Sequence, residues 1–422
     1  MDIFEIDGPV HLSGSIDVAG SKNAALPIMA ATLLAGGTSV IPNAPVLADI
    51  GSMETLLESL GAAVTRDEHG LHIDASVIDN PVGEYEIVRK MRASICILGP
   101  LLARCGKVKI SMPGGCAIGD RPIDIHLRGA KALGASIHLE NGYVVAEAPA
   151  GGLVGTQIFL GGPFGSTVLG TDNVMMAAVL AKGTTVIESA ACEPEVADLA
   201  NCLNAMGAKI RGIGSPRLVI EGVEELVPVT YSVIGDRIEA GTFMVAAAIT
   251  KSRLTINNCE LDHMLAVTDR FRQIGVTVEK TATGCEVALD GPIHPADITT
   301  QPYPGFPTDL QAQFMALLAL GRGNSVITEK IYPDRFMHVA ELNRMAANLR
   351  KEGPSVIVAG VDKLIAAPVM ASDLRASAAL VLAGMAAEGQ TVVQRVYHID
   401  RGYHRIEERL NAVGAKIKRK NI

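Results

Sequence analysis

One unit recurs along this chain, and its beat constrains the fold more than any single motif does. An amphipathic run ends in Gly-Ala, or a close variant, and enters a β-branched strand. It reads LLESLGAAV at Gly61, AKALGASI at Gly134, CLNAMGAKI at Gly207, FRQIGVTV at Gly275 and RLNAVGAKI at Gly414. A degraded copy, RMAANLRKEG, lies near Ala347, so successive spacings are 73, 73, 68, about 72 and about 67 residues. A fixed period of this kind decides architecture before composition does.

A second string keeps the same beat: an Ala/Leu-rich run, a small or glycine turn, then a strand. Its copies are AALPIMAATLLAGGTSVI, SICILGPLLARCGKVKI, NVMMAAVLAKGTTVI, GTFMVAAAITKSRLTI, AQFMALLALGRGNSVI and ASAALVLAGMAAEGQTVV. Runs apolar on nearly every face predict buried helices, whereas the Gly-Ala runs, charged on one side, face solvent or a seam. Glycine after such a helix suits a left-handed cap. Six units of about 70 residues fill the 422 residues. Solenoid repeats usually run 20–45 residues, so closure is expected instead. Three units around a pseudo-threefold axis make one domain, six make two, and the class is α/β.

Apolar residues make up 48% and charged residues 19%, enough for a large core. Aromatics are only 4% beside 43 glycines, so the cores rely on small aliphatic side chains. The net charge is −8 and the only short basic cluster is Lys416 to Lys420, which gives no broad positive face for nucleic acid. Asp2, Glu5 and Asp7 stand where a signal peptide needs basic and then apolar residues. The uncharged stretch Asn23 to Ala48 is broken by Pro27, Gly36, Gly37, Pro42, Asn43 and Pro45, unlike a membrane span. A soluble, unprocessed, cytoplasmic protein is expected, with no obligate protein partner. Seven cysteines, with no CxxC and no histidine at ligand spacing, fit a reducing compartment without structural zinc. No cofactor or metal is expected.

Function is sought where the repeat is interrupted. The sharpest break is PGGCAIGDRP, Pro113 to Pro122, whose glycines flank Cys116. An ordinary thiol has a pKa near 8.5, which suits a proton donor able to attack as thiolate, and Arg121 nearby favours the ionised form if it turns inward. The other six cysteines fall within helix or strand strings and read as small buried hydrophobes. In SKNAALP, Lys22 and Asn23 stand just ahead of the first buried helix, where a cation, an amide and the helix dipole suit an anion. The bland alternative is a cap beside a solvated lysine. Arg92 in MRAS and Arg375 in SDLRAS, which begins at Asp373, have the same form at equivalent helix entrances, with DRIEAGTF as a third version. Asp309 in FPTDLQAQF reads as a cap or a base. Gly151 to Gly170 contains seven glycines without a following P-loop lysine, and reads as a flexible loop beside a binding site.

SKNAALP, MRASICILGPL, PGGCAIGDRPID, EPEVAD, DRIEAGTF, FPTDLQAQF, DRFMHV, SDLRASAALVLAG and YHIDRGYHRIE occur in this order across essentially the whole chain. Together they resemble the UDP-N-acetylglucosamine 1-carboxyvinyltransferase family of enolpyruvyl transferases. That resemblance implies a two-domain inside-out α/β barrel. Residues 22–234, with the Cys116 segment, would form one domain, and 1–21 plus 235–422 the other. It also implies transfer of the enolpyruvyl group of phosphoenolpyruvate to the 3′-hydroxyl of UDP-N-acetylglucosamine, with release of phosphate.

Carried over by matching motif, Cys116, Asp309, Lys22 and Arg401 would be catalytic. Lys22, Asn23, Arg121, Arg375 and Arg401 would hold phosphoenolpyruvate. Asn23, Arg92, Arg121, Pro122, Ile123, Asp124, Ile125, His126, Thr167, Val168, Asp309 and Ile331 would contact the UDP-sugar, with Asp373 in support. One segment departs from the family. FLGGPFGSTVLGTD, between Ile158 and Asn173, is about three residues longer than the usual loop, so Thr167 and Val168 are matched there by position only. The nearest rival, 5-enolpyruvylshikimate-3-phosphate synthase, resembles SKS where this chain has Ser21-Lys22-Asn23, and lacks the cysteine segment. A catalytically silent relative would have little reason to keep Lys22, Cys116, Asp309 and Arg401 together.

Overall fold

The structure, a computed structural model, describes residues 2–112 and 123–421. Cys116, Arg121 and Pro122 therefore lie outside the described residues. The chain divides into two compact units: a Lys22 unit of residues 20–112 and 123–234, and an Asp309 unit of residues 2–19 and 235–421.

Each unit wraps three sheets around three buried helices, the reverse of the usual α/β layering. In the Lys22 unit the inner helices are Lys22–Ala31, Leu98–Cys105 and Val168–Ala178. In the Asp309 unit they are Arg237–Ile249, Gln311–Leu318 and Leu374–Ala386, and all three pack on one another. Every residue of Arg237–Ile249 after the first is buried. A helix without a polar face has to be surrounded on all sides, and the sheets do this with alternating strands. In Arg253–Asn257, for example, Leu254 and Ile256 are buried while Arg253 is exposed.

The sheets share one topology. Val82–Gly83 runs parallel to Lys107–Ser111, which pairs antiparallel with Tyr143–Glu147, which pairs antiparallel with Ser136–Glu140. Four other sheets repeat this order, one parallel pairing and then two antiparallel ones. In the sheet of Thr38–Ile41 the parallel neighbour shrinks to a single bridge, Val40 to Thr230, held by Val40 N–H to Val229 O at 2.8 Å. The end of the third repeat thus returns to the first and closes the ring. In the other unit the opening strand Asp2–Gly8 lies between Gly389–Gln394 and Ile417–Asn421, and Ser15–Asp17 runs beside Arg253–Asn257. These pairings place residues 2–19 with the second half of the chain.

The outer helices end as the repeat predicts. Gly61, Gly134, Gly207, Gly275 and Gly414 all have φ between 99° and 111°. Each is followed by a residue whose N–H reaches back to close a Schellman turn, as Ala62 N does to Leu57 O at 3.2 Å. The degraded copy makes the same turn, Ala347 N to Leu342 O at 3.2 Å, with Ala346 in the glycine's place at φ 64°. A Cβ in left-handed backbone costs about 1–2 kcal/mol, partly offset by the greater freedom of glycine in the unfolded chain. Ala346 is exposed, so its methyl contributes no packing. Ala346→Gly is therefore expected to stabilise the protein by about 0.5–1 kcal/mol, read as a higher urea midpoint at unchanged slope. A lower midpoint would contradict the strain argument.

Two sequence expectations need correction. Cys192 and Cys259 lie in turns after strands rather than inside helix or strand, and with Cys105 they are only partly buried. The Gly151 to Gly170 stretch is not a featureless loop. It contains strand Gln157–Phe159, parallel to Thr184–Glu188, and a tight turn in which Gly162 and Gly165 exchange backbone hydrogen bonds at 2.8 and 3.1 Å. Among the described residues no helix is long and apolar enough to cross a membrane, and no group of three metal-ligating side chains is found.

Candidate active site

In the Lys22 unit, Ser21 caps the helix Lys22–Ala31, its side chain accepting from Ala24 N. Lys22 and Asn23 are therefore the first two helical residues, not residues ahead of the helix. Lys22 is also not solvated. It is 7% exposed, and its Nζ lies 3.1 Å from Asp49 Oδ2 in the first turn of Ala48–Ser59. A cation at a helix N-terminus opposes the dipole, and the buried carboxylate of Asp49 offsets that.

Arg92 begins a 3-10 turn, Arg92–Ile97, that leads into the buried helix Leu98–Cys105. Asn173 organises this corner: Oδ1 accepts from Gly99 N at 2.8 Å, while Nδ2 donates to Ile95 O at 3.1 Å and meets His126 Nδ1 at 2.9 Å. The contact with Gly99 fixes the amide's orientation, so His126 accepts at Nδ1 and carries its proton on Nε2. Burial pushes the His126 pKa down to about 3, and the nearby charge of Arg92 acts in the same direction. The imidazole is thus neutral and committed to Asn173. Ile123 is buried, and Asp124 and Ile125 open the helix Asp124–Ala132 with Asp124 exposed. Thr167 caps Val168–Ala178, accepting from Gly170 N at 3.3 Å. The sequence match suggests UDP-sugar contacts for His126, Ile123 and Thr167, but their side chains are occupied structurally.

The Asp309 unit holds the denser constellation. Asp309 does not cap a helix. It sits in the short turn Thr308–Leu310 ahead of Gln311–Leu318, with no capping bond from its side chain. Its two oxygens instead face guanidinium groups, Oδ1 at 2.7 Å from Arg335 and Oδ2 at 3.4 Å from Arg375. Both arginines are buried, and Asp309 keeps 27% of its side chain exposed. Two buried cations thus bracket one carboxylate at the turn.

Each partner is itself held. Arg375 is the second residue of Leu374–Ala386, whose cap Asp373 accepts from Arg375 N at 3.0 Å. Its guanidinium donates to Tyr403 Oη at 3.0 Å, and that hydroxyl meets Thr242 Oγ1 at 2.8 Å. Burial alone disfavours the Arg375 cation, yet Tyr403, Asp309 and Asp236 raise its pKa above the ordinary value. Arg335 also donates to Thr308 Oγ1 at 2.9 Å, and Thr308 donates to the fully buried Glu329 at 2.8 Å. Glu329 accepts further from Ile331 N at 2.8 Å and Tyr332 N at 3.0 Å, which fixes the backbone at Ile331. Arg401 ends the 3-10 helix Val396–Arg401. It lies close enough to His398 to lower the imidazole's pKa after the larger effect of burial, while Asp373 opposes both.

Asp309, Arg375, Asp373, Arg401 and Ile331 thus fall in one unit, and Lys22, Asn23, Arg92 and His126 in the other. Sequence reasoning passed over Asp49, Glu329, Arg335 and Tyr403. Arg335 and Tyr403 stood inside recognised strings, DRFMHV and YHIDRGYHRIE, while Asp49 and Glu329 carried no local signal. Chemically, each unit offers buried cations, and the Asp309 unit adds a carboxylate partly open to solvent.

Residues 6–410 match the family described as EPSP synthase (3-phosphoshikimate 1-carboxyvinyltransferase). A Methylacidiphilum infernorum protein named UDP-N-acetylglucosamine 1-carboxyvinyltransferase is 53% identical over 419 residues, covering 99% of each chain. Proteins of that name from Desulfosudis oleivorans and Trichlorobacter lovleyi are 51% and 54% identical, again over 99% of each chain. Among solved structures, the enolpyruvyl transferase NikO from Streptomyces tendae matches with a TM-score of 0.89 at 24% identity, over 99% of this chain and 98% of that one. EPSP synthase from Acinetobacter baumannii gives a TM-score of 0.76 at 18% identity over 100% of both chains. At such identities the structural likeness speaks for the fold alone, the inside-out α/β barrel.

Proposed function

Since this chain belongs to the UDP-N-acetylglucosamine 1-carboxyvinyltransferase family of enolpyruvyl transferases, we propose that it moves the enolpyruvyl group of phosphoenolpyruvate onto the 3′-hydroxyl of UDP-N-acetylglucosamine. Phosphate leaves, and the product enters peptidoglycan synthesis. The observation that carries this reading is the full-length identity of about one half to relatives of that name.

Phosphoenolpyruvate carries a carboxylate and a phosphate, so several cations must act on it. Lys22, Arg121, Arg375 and Arg401 are assigned that task, with Asn23 beside them. Arginine can grip either group through two parallel hydrogen bonds. Cys116 is assigned as the acid that delivers a proton to C3 of the enol. Cationic character then develops at C2, where the sugar hydroxyl adds as Asp309 accepts its proton. The resulting tetrahedral ketal loses phosphate and a C3 proton, which regenerates the enol ether. Arg92, the run Arg121 to His126, Thr167, Val168 and Ile331 are assigned to the UDP-sugar, the main chain serving where a side chain is already engaged. Asp373 supports Arg375 as its helix cap. A cytoplasmic setting belongs to the proposal and is supported by the six free thiols among the described residues.

Phosphate release tests the assignment. Release is expected with phosphoenolpyruvate plus UDP-N-acetylglucosamine, and none with shikimate 3-phosphate as acceptor. Release with the second acceptor only, or with neither, overturns it.

A further inference from the structure

The basic cluster Lys416 to Lys420 has no part in the chemistry above, yet one of its members reaches toward that chemistry. The cluster forms most of strand Ile417–Asn421, antiparallel to Asp2–Gly8. Lys420 pairs with Glu5 at 2.8 Å across the ladder, as an edge lysine commonly does. Arg419 does more. Its guanidinium grips both oxygens of Asp400, NH2 to Oδ1 at 2.6 Å and NH1 to Oδ2 at 3.0 Å. Its Nε donates to Glu407 at 2.6 Å, NH1 also reaches Asp2 at 3.2 Å, and the group lies 4.9 Å over the ring of Phe4. A two-toothed contact with added partners holds direction as well as charge.

Asp400 immediately precedes Arg401. On the other side, Gly402 is buried so tightly that an added Cβ would come within 2.6 Å of the Leu374 side chain. Tyr403, next in line, is fixed through its hydroxyl to Thr242 and Arg375. The backbone that presents Arg401 is therefore held one residue before and two residues after. Backbone hydrogen bonds hold Ile417–Asn421 in its sheet, and the Arg419 side chain adds the contacts with Asp2 and Phe4 of the neighbouring strand while also reaching beyond the ladder to Asp400 in the 3-10 helix. Resting on the proposed role of Arg401 toward phosphoenolpyruvate, we infer that Arg419 is a positioning residue that acts through Asp400 to fix how Arg401 meets that anion.

The test uses the full chain in steady-state turnover with both substrates. Arg419→Met is expected to raise KM for phosphoenolpyruvate about tenfold or more, since small misplacements of binding groups carry effects of this size or larger. KM for UDP-N-acetylglucosamine should stay within about twofold. Asp400→Asn, which leaves Arg419 its contacts with Glu407 and Asp2, should shift the same KM in the same direction and covers the case in which Arg419→Met does not fold. In an Arg401→Lys background, adding Arg419→Met should change KM for phosphoenolpyruvate by less than about twofold, because two residues acting through one group are not additive. Unchanged KM values in an active parent, or a full independent loss in the Arg401→Lys background, overturn the inference while leaving the functional reading intact. An inactive parent overturns both.

Discussion

Asparagine in place of Asp309 is expected to lower kcat by about a thousandfold, within the usual range for loss of a general base. The substitution keeps the shape of the side chain and removes its charge. One oxygen can still accept from Arg335 or Arg375, but the amide NH2 must then face the other guanidinium, donor against donor. Both arginines are buried, so one is left without its carboxylate, and breaking a buried pair costs about 3–5 kcal/mol. Arg335 retains Thr308 and Arg375 retains Tyr403, which limits the damage to the fold. Steady-state kcat with thermal melting separates the two effects. A folded Asp309→Asn protein with kcat within tenfold of the parent would falsify the base assignment.

The second large effect is expected at Lys22. Methionine matches the stem of lysine but carries no charge, and it leaves Asp49 buried without the ammonium 3.1 Å away. Stability should fall by about 3–5 kcal/mol, and kcat/KM for phosphoenolpyruvate by about ten- to a hundredfold, since a hydrogen bond to a charged group contributes about 1.5–3 kcal/mol. These losses have different origins and can be parted. The double variant Lys22→Met, Asp49→Asn removes both buried charges, so its melting temperature should recover most of the difference. Its catalytic efficiency should not. Recovery of turnover in the double variant would reduce Lys22 to a structural role.

The architecture was legible because burial writes a period into the sequence. Inner helices such as Arg237–Ile249 are apolar all round, and outer helices close on a glycine whose backbone conformation other residues avoid. The one blurred copy is blurred for an energetic reason: alanine at Ala346 tolerates the left-handed turn at a cost too small to forbid it. Pairing across the chain left no such trace. Nothing local in Asp2–Gly8 says that it lies between strands from the far end of the sequence.

In the candidate site, the residue types were legible and their engagements were not. Asp309 read as a cap or a base because it precedes a helix. Its actual partners, Arg335 and Arg375, are 26 and 66 residues away. Lys22 read as a cation just ahead of a helix, with a solvated lysine as the alternative, because the acid that meets it belongs to the next helix. His126 read as a ligand contact, yet its ring is held by Asn173, 47 residues later. Long-range electrostatics and amide geometry decide these outcomes, and neither has a sequence period.

The placement of Asp2–Gly8 has a consequence for biosynthesis. The described residues of the Lys22 unit, 20–112 and 123–234, all precede residue 235, so that unit can assemble once this stretch has left the ribosome. Asp2–Gly8, which precedes that stretch, cannot pair so early. Its two neighbours, Gly389–Gln394 and Ile417–Asn421, lie beyond the whole of that stretch, so an edge-exposed ribbon must stay unpaired until they too have been made and its own half of the molecule can be finished.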